Sequence, residues 1–420
     1  MPPTYYLGNN SIQGSNINLI KAHNMRAILI RLLYDGPVSR VELAEKTSLS
    51  STTITNLVGE LLDLRIVSEE RVETSDRPRR VGRPRRMLRL IPSARYAVGI
   101  HIGIGTYRIA ITNLFADMVS NKISTFDINV PAEDVLADIA QKVNEAIAES
   151  SVDRSRIIGV GIGASGLVNY KDGVNVHAPR LGWRNVPILK QMQNHLALPI
   201  RVDNNVRAMA LGEAYFGAGR GVAVLAFVYG RIGVGAGFVI NGQLYHGGSA
   251  GAGEIGHTIM LTQGGELCTC GNEGCLETLL SEPGWVRKAR NIAEQNPNSI
   301  LAKTLSDESE IKTIERVFKA ARDGDTLARQ MIEESAYYLG IALSNLVNVL
   351  NPELILLGGL FSQGDDLILP VAEKIMRETA FAGLGEKVHL KPTSFGWRAG
   401  VIGASALALM TYFYQQPESG

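Results

Sequence analysis

The stretch "ELCTCGNEGCLE" at residues 266–277 contains every cysteine of this 420-residue chain. Cys268, Cys270 and Cys275 lie within eight positions of one another. Such clustering is too dense for chance in a chain with no other cysteine. The segment therefore indicates a shared role for the three thiols and for the fold around them.

The overall composition is that of a globular protein with two or three domains. Hydrophobic residues make up 45% and charged residues 20% of the chain, which are ordinary values. No signal peptide is recognisable, and no run reaches the roughly 18 apolar residues of a membrane span. With so few cysteines, these features predict a cytoplasmic protein without a membrane partner.

Charge is distributed unevenly along the chain. The net charge is only +1, which excludes a general polyanion binder. The first 92 residues hold 14 Lys/Arg against 9 Asp/Glu, a balance of +5, whereas the remainder carries −4. A basic head on an acidic body predicts a nucleic-acid-binding module fused to another domain.

Residues 23–67 have the pattern of three short helices. Apolar residues recur at helical spacing, and Asp35-Gly36-Pro37 ends the first helix. Ser39 with Glu42 predicts a capping box for the second helix, and Ser50 or Ser51 caps the third. This arrangement predicts a helix-turn-helix whose third helix enters a DNA major groove. The predicted contacts there are Ser50, Ser51, Thr52, Thr53, Thr55 and Asn56.

The next segment, residues 68–92, has two strand-like pieces around an arginine-rich loop. This pattern predicts a wing that contacts phosphates through Arg77, Arg79, Arg80, Arg83, Arg85 and Arg86. Arg83 and Arg85 can also enter a narrow A·T minor groove. The alternative is a plain helical bundle with a solvated basic loop.

From Tyr96 onward, strands that end in glycine turns alternate with helices, and the chain is mostly helical after Glu282. This pattern predicts two α/β lobes that face a cleft. Glycine turns after strands are common places for phosphates or sugars.

The body resembles the ROK family, which comprises repressors, open reading frames and sugar kinases. The resemblance covers roughly residues 97–409. It rests on "ALGEAYFGAG" (210–219), "GAGEIGHTIM" (251–260), "CTCGNEGCLE" (268–277) and "PELILLGGL" (352–360). It implies an α/β, two-lobed, actin-like (ribonuclease H-like) sugar-kinase fold, and the winged helix in front implies the repressor branch.

The implied division has two domains. Residues 1–92 form the winged helix-turn-helix, and residues 93–420 form the sensor domain. Within the sensor, the small lobe takes about 93–205 plus 396–420, and the large lobe takes about 206–395.

The family's zinc site corresponds to His257, Cys268, Cys270 and Cys275. One imidazole and three thiolates are suited to a closed, structural Zn²⁺ site, and the glycines among them permit the tight turns. With no open coordination position, the ion is expected to have no hydrolytic role. The alternatives are three free thiols or a redox-active Cys-x-Cys pair.

The resemblance also implies a sugar site. The family's sugar contacts correspond to Glu254, His257 and Glu277, to Asn204, and to the glycine turn at Ser165 and Gly166. For Glu254 and Glu277 the alternative is an ordinary surface or capping role. Arg180 stands where the kinases often have asparagine, so it either favours an acidic or phosphorylated sugar or points to solvent.

Two departures from the kinases predict that the body does not phosphorylate its ligand. Asn205 stands where the kinases have the aspartate that serves as base, and an amide takes up no proton at neutral pH. His101 and Ile104 replace an aspartate and a glycine of the phosphate turn.

The sequence thus predicts a DNA-binding regulator, acting as a repressor, that responds to a sugar or sugar derivative. Its predicted partners are double-stranded operator DNA, the sugar effector and further copies of itself in a homodimer or homotetramer. Three alternatives remain open at this stage: an active sugar kinase with a DNA-binding head, a regulator controlled by a partner protein, and activation in place of repression.

Overall fold

A computed structural model of the protein describes residues 17–71, 86–305 and 310–415. They form two compact units. The first contains residues 17–71, 86–94 and 410–415, and the second lies within Arg95–Leu409. Among the described helices, none has the length and hydropathy to span a membrane.

The first unit is a winged helix-turn-helix. Its elements are α1 (Ile17–Asp35), β1 (Val38–Ser39), α2 (Arg40–Thr47), α3 (Ser51–Asp63), β2 (Val67–Arg71) and β3 (Arg86–Leu90). The strands form one antiparallel sheet in the order β1-β3-β2. The hydroxyl of Ser39 accepts a hydrogen bond from the Glu42 amide, and the Glu42 carboxylate accepts one from the Ser39 amide. The predicted capping box is confirmed.

The core of this unit is built from one face of each helix. Its fully buried members include Ile28, Leu32, Leu43, Ile54, Val58, Leu88 and Leu90. A π-helical turn at Met410–Tyr414 also belongs to this unit, and α1 packs against it. The predicted division assigns residues 410–415 to the small lobe, but their contacts place them in the same unit as the winged helix.

The second unit contains thirteen described strands and eleven described helices. The strands are β4 (Tyr96–Ile102), β5 (Thr106–Asn113), β6 (Met118–Thr125), β7 (Ile157–Ala164), β8 (Leu167–Asn169), β9 (Val174–Ala178), β10 (Trp183–Val186), β11 (Ile200–Asn204), β12 (Val224–Gly230), β13 (Val234–Ile240), β14 (Gln243–Leu244), β15 (Leu354–Gly359) and β16 (His389–Pro392). The helices are α4 (Ala132–Glu149), α5 (Ile188–Gln193), α6 (Asn205–Phe216), α7 (Leu276–Leu280), α8 (Glu282–Gln295), α9 (Ile300–Thr304), α10 (Glu310–Arg322), α11 (Thr326–Leu350), α12 (Leu360–Gln363), α13 (Asp365–Thr379) and α14 (Ala399–Leu409).

Two five-stranded sheets share one topology. Their orders are β11-β7-β4-β5-β6 and β14-β13-β12-β15-β16. In each, three consecutive antiparallel strands are extended on the other side by two strands in parallel pairing. A small antiparallel sheet, β10-β9-β8, follows the first. This repeated order is that of the predicted α/β, actin-like fold.

Helices α6 and α14 pack against each other in the middle of the second unit, and α14 also covers β4 and β7. The approach is close enough to require glycine. A Cβ on Gly161 would lie 1.8 Å from the carbonyl oxygen of Ala404, and one on Gly403 would lie 2.5 Å from backbone atoms of Ala208 and Met209. This packing fixes the start of α6 beside the end of β7.

Candidate functional site

The predicted recognition helix α3 presents a polar face. Ser51, Thr52, Thr55 and Asn56 are exposed, whereas Ile54, Leu57, Val58 and Leu61 are buried on the opposite face. Ser50 is the residue that caps the helix, because its hydroxyl accepts a hydrogen bond from the Thr53 amide at 3.1 Å. Short hydroxyl and amide side chains are thus available to a groove of DNA.

One arginine of the predicted wing lies within the described residues. Arg86 is exposed, and its Nη1 donates to Oε2 of Glu69 at 2.7 Å. That hydrogen bond is the main reason the pKa of Glu69 lies below its usual value. Arg77, Arg79, Arg80, Arg83 and Arg85 lie outside the described residues.

Four side chains of the second unit form a group that could hold a metal ion. The ligand atoms of His257, Cys268, Cys270 and Cys275 all lie within 4.8 Å of one another. The Sγ atom of Cys268 is 3.6 Å from Nδ1 of His257, and the Sγ atoms of Cys270 and Cys275 are 3.7 Å apart. All four ligands predicted from the sequence therefore converge on one point.

The backbone of this cluster is a compact loop that depends on glycine. Gly271 and Gly274 have positive φ angles of 95° and 74°. A Cβ on Gly274 would lie 2.0 Å from the carbonyl oxygen of Leu261. The amide of Cys268 donates to the Asn272 carbonyl at 2.8 Å, which closes the turn. These constraints shape the loop that carries the three thiols.

Two carboxylates of the predicted sugar site lie next to this cluster. Glu277 is in the first turn of α7, two residues after the last cysteine, and its Oε2 accepts a hydrogen bond from the Val234 amide at 3.0 Å. Its other oxygen faces Nη2 of Arg180 at 3.4 Å. Arg180 is therefore directed at the site rather than at bulk solvent.

Glu254 is open to solvent, and the amide of His257 donates to its backbone carbonyl at 3.1 Å. Protein atoms around the carboxyl group raise its pKa, chiefly by removing hydration, although His257 and Arg207 lower it. The negative charge of Glu277 also raises the pKa of Glu254. The two acids are thus electrostatic neighbours, as their predicted shared role requires.

The side chain of Asn204 mainly makes hydrogen bonds to the neighbouring backbone. Its side-chain oxygen accepts the amides of Val206 and Arg207 and caps α6, while Nδ2 donates to the Gly166 carbonyl at 2.9 Å. Ser165 lies beside it, with its hydroxyl 3.3 Å from Nδ2 of Asn205. The structure therefore brings Ser165, Gly166 and Asn204 together, although most hydrogen-bonding capacity of Asn204 is already used.

A buried charged group that the sequence analysis missed lies behind these residues. We call Asp203, Arg207 and His246 the Arg207 hub. Nε of Arg207 donates to Oδ1 of Asp203 at 2.7 Å, and Nε2 of His246 is 2.7 Å from Oδ2. Asp203 and Arg207 are each 1% exposed. Burial raises the pKa of Asp203, but His246 and Arg207 outweigh it and hold that pKa below its usual value.

The hub joins the segments that carry the predicted sugar contacts. Nη1 of Arg207 donates to the carbonyl of Ala250 and Nη2 to that of Val168, both at 2.9 Å. Val168 follows the Ser165–Gly166 turn, and Ala250 precedes Glu254. The available sequence signal was an arginine within a helix whose other residues are nearly all apolar or small, four positions after an aspartate.

The two positions predicted to differ from the kinases contact each other. Nδ2 of Asn205 is 3.5 Å from Nε2 of His101. His101 is buried, and its pKa is lowered to about 3, first by loss of hydration and then by the charges of Arg108 and Arg231. At neutral pH this pair therefore consists of an uncharged imidazole and an amide.

The low pKa of His101 makes stability depend on pH. Because the unfolded chain binds this proton below about pH 6.5 and the folded chain does not until about pH 3, the free energy of unfolding falls as pH is lowered between these values. Going from pH 6.5 to pH 4.5, His101→Gln should lose about 2 to 3 kcal/mol less stability than the parent. Urea unfolding at several pH values measures this. Parallel pH profiles of the two proteins would contradict it.

The ROK family model matches residues 97–411. The xylose repressor of Caldicellulosiruptor bescii is 29% identical over 94% of this chain and 97% of that protein. The glucokinase of Halalkalibacterium halodurans is 33% identical over 75% of this chain and 95% of that protein.

Among solved structures, the chain is similar to the crystal structure of a ROK family transcriptional regulator that is a homologue of the Escherichia coli MLC protein. The TM-score is 0.79 at 29% identity, over 94% of this chain and 97% of that one. The predicted fold class is thereby confirmed for both the head and the body. Since the family model matches well over half of its length, this chain belongs to the ROK family.

Proposed function

We propose that the protein is a transcriptional repressor that binds operator DNA through its winged helix and releases it in response to a sugar or sugar derivative. The observation that carries this proposal is the exposed polar face of α3 on a winged helix that shares one chain with a ROK body. The match to the C. bescii xylose repressor extends over the head as well as the body. Xylose is therefore the first sugar to test.

In this proposal the DNA contacts are made by α3 and the wing. The residues are Ser50, Ser51, Thr52, Thr53, Thr55, Asn56, Arg83, Arg85 and Arg86. A single helix-turn-helix reads too few base pairs for operator specificity, so the protein acts as a homodimer or homotetramer on paired half-sites. The division at residue 92 and the two lobes of the body are part of the same proposal.

The effector binds beside the metal cluster, against Ser165, Gly166, Asn204, Glu254, His257 and Glu277. Carboxylates and an imidazole suit the vicinal hydroxyls of a sugar, because each can accept or donate a directional hydrogen bond. Arg180, which faces Glu277 at 3.4 Å, adds a positive charge and favours an acidic or phosphorylated derivative. The sugar acts by binding one arrangement of the body better than another.

The metal in this proposal is a structural Zn²⁺ on His257, Cys268, Cys270 and Cys275. With Zn–S near 2.3 Å and Zn–N near 2.0 Å, a regular tetrahedron places sulfurs about 3.8 Å apart and sulfur and nitrogen about 3.5 Å apart. The Cys270–Cys275 and Cys268–His257 separations of 3.7 Å and 3.6 Å are close to these values, and all four ligand atoms lie within 4.8 Å of one another. A filled coordination shell supplies stability and orients the loop that carries Glu254 and Glu277.

We further propose that the body has lost kinase activity. Phosphoryl transfer to a hydroxyl needs a base within hydrogen-bond reach, and Asn205 is not one. Asp203 does not replace it, because both of its oxygens are held by Arg207 and His246. The likeness to a glucokinase makes this the part of the proposal most in need of a direct test.

The test is a gel shift of the full-length protein on DNA from upstream of its own gene, with a panel of sugars and sugar phosphates. One compound is expected to release the DNA at micromolar to millimolar concentration. Tight DNA binding that no sugar changes would favour control by a protein partner. Turnover of ATP with any sugar of the panel would overturn the loss of kinase activity.

Glu254→Gln separates sugar recognition from DNA binding. A hydrogen bond to a charged group is worth about 1.5 to 3 kcal/mol, so the inducing sugar should bind about 10- to 100-fold more weakly. DNA affinity without sugar and the zinc content should not change. Glu266→Gln is the matched control, because Glu266 is exposed in the same loop and pairs with Arg287. If both variants bound the sugar with the same affinity, Glu254 would not belong to the sugar site.

A further inference from the structure

The carboxylate of Glu69 joins two arginines of the winged helix that are distant in sequence. Its Oε1 accepts a hydrogen bond from Nε of Arg40 at 3.3 Å and lies 3.2 Å from Nη2 of that residue. Its Oε2 accepts one from Nη1 of Arg86 at 2.7 Å. The Glu69 side chain is 13% exposed, whereas those of Arg40 and Arg86 are 32% and 45% exposed. One largely buried acid thus holds two guanidinium groups at the surface.

The strand order of the sheet explains this contact. Strand β3 lies between β1 and β2, and Leu88 of β3 is opposite Val38 on one side and Glu69 on the other. Directly opposite residues share one face of a sheet, and Arg86 is two positions before Leu88 on that same face. Arg40 follows β1 as the first residue of α2. The carboxylate therefore connects the start of α2 to the two strands of the predicted wing.

Arg40 is in an unfavourable place for a cation. The first turn of a helix has the positive end of the backbone dipole, so acidic side chains are preferred there. The two arginines remain accessible to water, and ion pairs of that kind add little to the free energy of unfolding. The helix dipole and the ion pair together therefore give the fold no large gain from an arginine at this position.

Both guanidinium groups keep hydrogen-bond donors that Glu69 does not use. A guanidinium carries five N–H groups, and within the part of the chain that the structure describes Glu69 is the one acceptor that either arginine reaches. Nη1 of Arg40 and Nε of Arg86 are thus available to another acceptor. The carboxylate of Glu42, two positions after Arg40, is hydrogen-bonded to Ser39. Two arginines around one carboxylate leave a net charge of +1 in this group.

We propose that Glu69 is a positioning residue, which holds Arg40 and Arg86 ready to bind DNA phosphates where the helix-turn-helix meets the wing. Arg40 is then an additional DNA contact that the sequence analysis missed. This inference rests on the proposed binding of operator DNA. In a helix-turn-helix the first of the two helices crosses the DNA backbone, and Arg40 is at the start of that helix. A long side chain that is already ordered in the free protein loses less rotamer freedom on binding.

An acid beside a polyanion has two opposite effects, and the sign of their sum can be measured. The charge of Glu69 repels phosphates, whereas its hydrogen bonds orient two arginines. If the charge were the larger effect, Glu69→Gln would bind DNA more tightly. The positioning role predicts the reverse. Glu69→Gln should bind DNA about three- to tenfold more weakly, although its net charge is more positive by one.

Fluorescence anisotropy of the full-length protein with labelled duplexes, from about 50 to about 200 mM KCl, tests the phosphate contact. One duplex has the sequence upstream of the protein's own gene, and the other has a random sequence of equal length. Arg40→Met should weaken binding to both and reduce the slope of log K against log [KCl] by about 1, since it removes one phosphate contact. An unchanged affinity and slope in Arg40→Met would overturn the proposal.

Glu70→Gln is the matched control for Glu69→Gln. Glu70 is the next residue of β2, is exposed and has no ion pair among the described residues, so its replacement makes the same change in net charge. The control should bind DNA at least as tightly as the parent. If Glu69→Gln bound DNA as tightly as Glu70→Gln, the positioning role would be rejected.

Two further variants separate positioning from a general effect on folding. Glu69→Asp keeps the charge on a side chain that is one methylene shorter, so it should also weaken DNA binding, which a change of charge cannot explain. Arg40→Met/Arg86→Met removes both groups that Glu69 holds, so adding Glu69→Gln to it should cause no further weakening. Equal weakening by Glu69→Gln with and without the two arginines would show that Glu69 does not act through them.

The outcome is separable from that of the proposed function. The variants change only the winged helix, so sugar binding by the body should survive in them. If the parent bound DNA but no sugar released it, the sugar-responsive repressor would be rejected and the salt slopes would still decide the role of Glu69. A parent that bound neither duplex would overturn both proposals.

Discussion

Replacing Cys270 with alanine should strip the protein of its metal and lower the melting temperature of the full chain by about 5 to 10 °C. Cys270 is the exposed member of the cluster, so its removal leaves no cavity in the core. Any large loss of stability must then come from the ion. A metal that binds only the folded chain contributes its binding free energy to folding.

The magnitude follows from the size of the unit. Structural zinc sites in small fingers bind with an apparent free energy of about 10 to 16 kcal/mol. Here the glycine turns and backbone hydrogen bonds already order part of the loop, so we expect a smaller loss of about 5 kcal/mol. The second unit, Arg95–Leu409, has roughly 300 residues, and at about 2.1 cal/mol/K of unfolding entropy per residue each kcal/mol changes the melting temperature by about 1.5 °C.

Thr269→Ala is the matched control, because Thr269 is exposed and lies between two ligands without being one. Elemental analysis should find one zinc per chain in the parent and in this control, and none in Cys270→Ala. The variant should also lose its sugar response, since the metal orients the loop that bears Glu254 and Glu277. A parent without zinc, or identical melting curves for both variants, would reject the structural metal.

Local interactions made parts of this structure predictable. The capping box of α2 spans three residues, and the apolar face of α3 repeats with the helical period, so each is determined within one element. Three of the four metal ligands lie within eight residues, and His257 is eleven residues from the first cysteine. Such clusters can be recognised in a sequence because residues that are close along the chain can be expected to lie close in space.

Asn204 is predicted as a sugar contact, and its carboxamide also caps α6 and holds Gly166. The sequence did contain a signal, because asparagine at a strand-to-helix boundary is a preferred N-cap. The helix cap and the predicted sugar contact thus require the same carboxamide group.

The Arg207 hub could be found only in the tertiary structure. It joins carbonyls 39 and 43 positions from the arginine. Sequence spacing contains no information on such partners when only one sequence is considered.

Arg207→Met should destabilise the protein by about 3 to 5 kcal/mol. Removing Arg207 leaves the carboxylate of Asp203, which is 1% exposed, with His246 as its remaining side-chain partner, and a buried charge that loses its ion-pair partner is strongly destabilising. The carbonyls of Val168 and Ala250 also lose their donors. Because whole domains are stable by about 5 to 15 kcal/mol, this is a large fraction of the total.

Urea unfolding of three variants isolates the cause. Arg322→Met removes an exposed pair with Asp366 and should lose at most about 1 kcal/mol. Arg207→Lys keeps a charge near Asp203 but cannot reach both carbonyls, so its loss should be intermediate. The double variant Asp203→Asn/Arg207→Met should be more stable than the sum of its single variants predicts, because it leaves no buried charge unpaired.

The sugar response distinguishes positioning from mere stability. Since Arg207 connects the segments of Ser165 and Glu254, Arg207→Lys should weaken sugar binding by about tenfold at a temperature where it remains fully folded. The control variant Arg322→Met should bind the sugar normally. If Arg207→Lys bound the sugar like the parent while being less stable, the hub would be a structural element of the core with no part in holding the effector site.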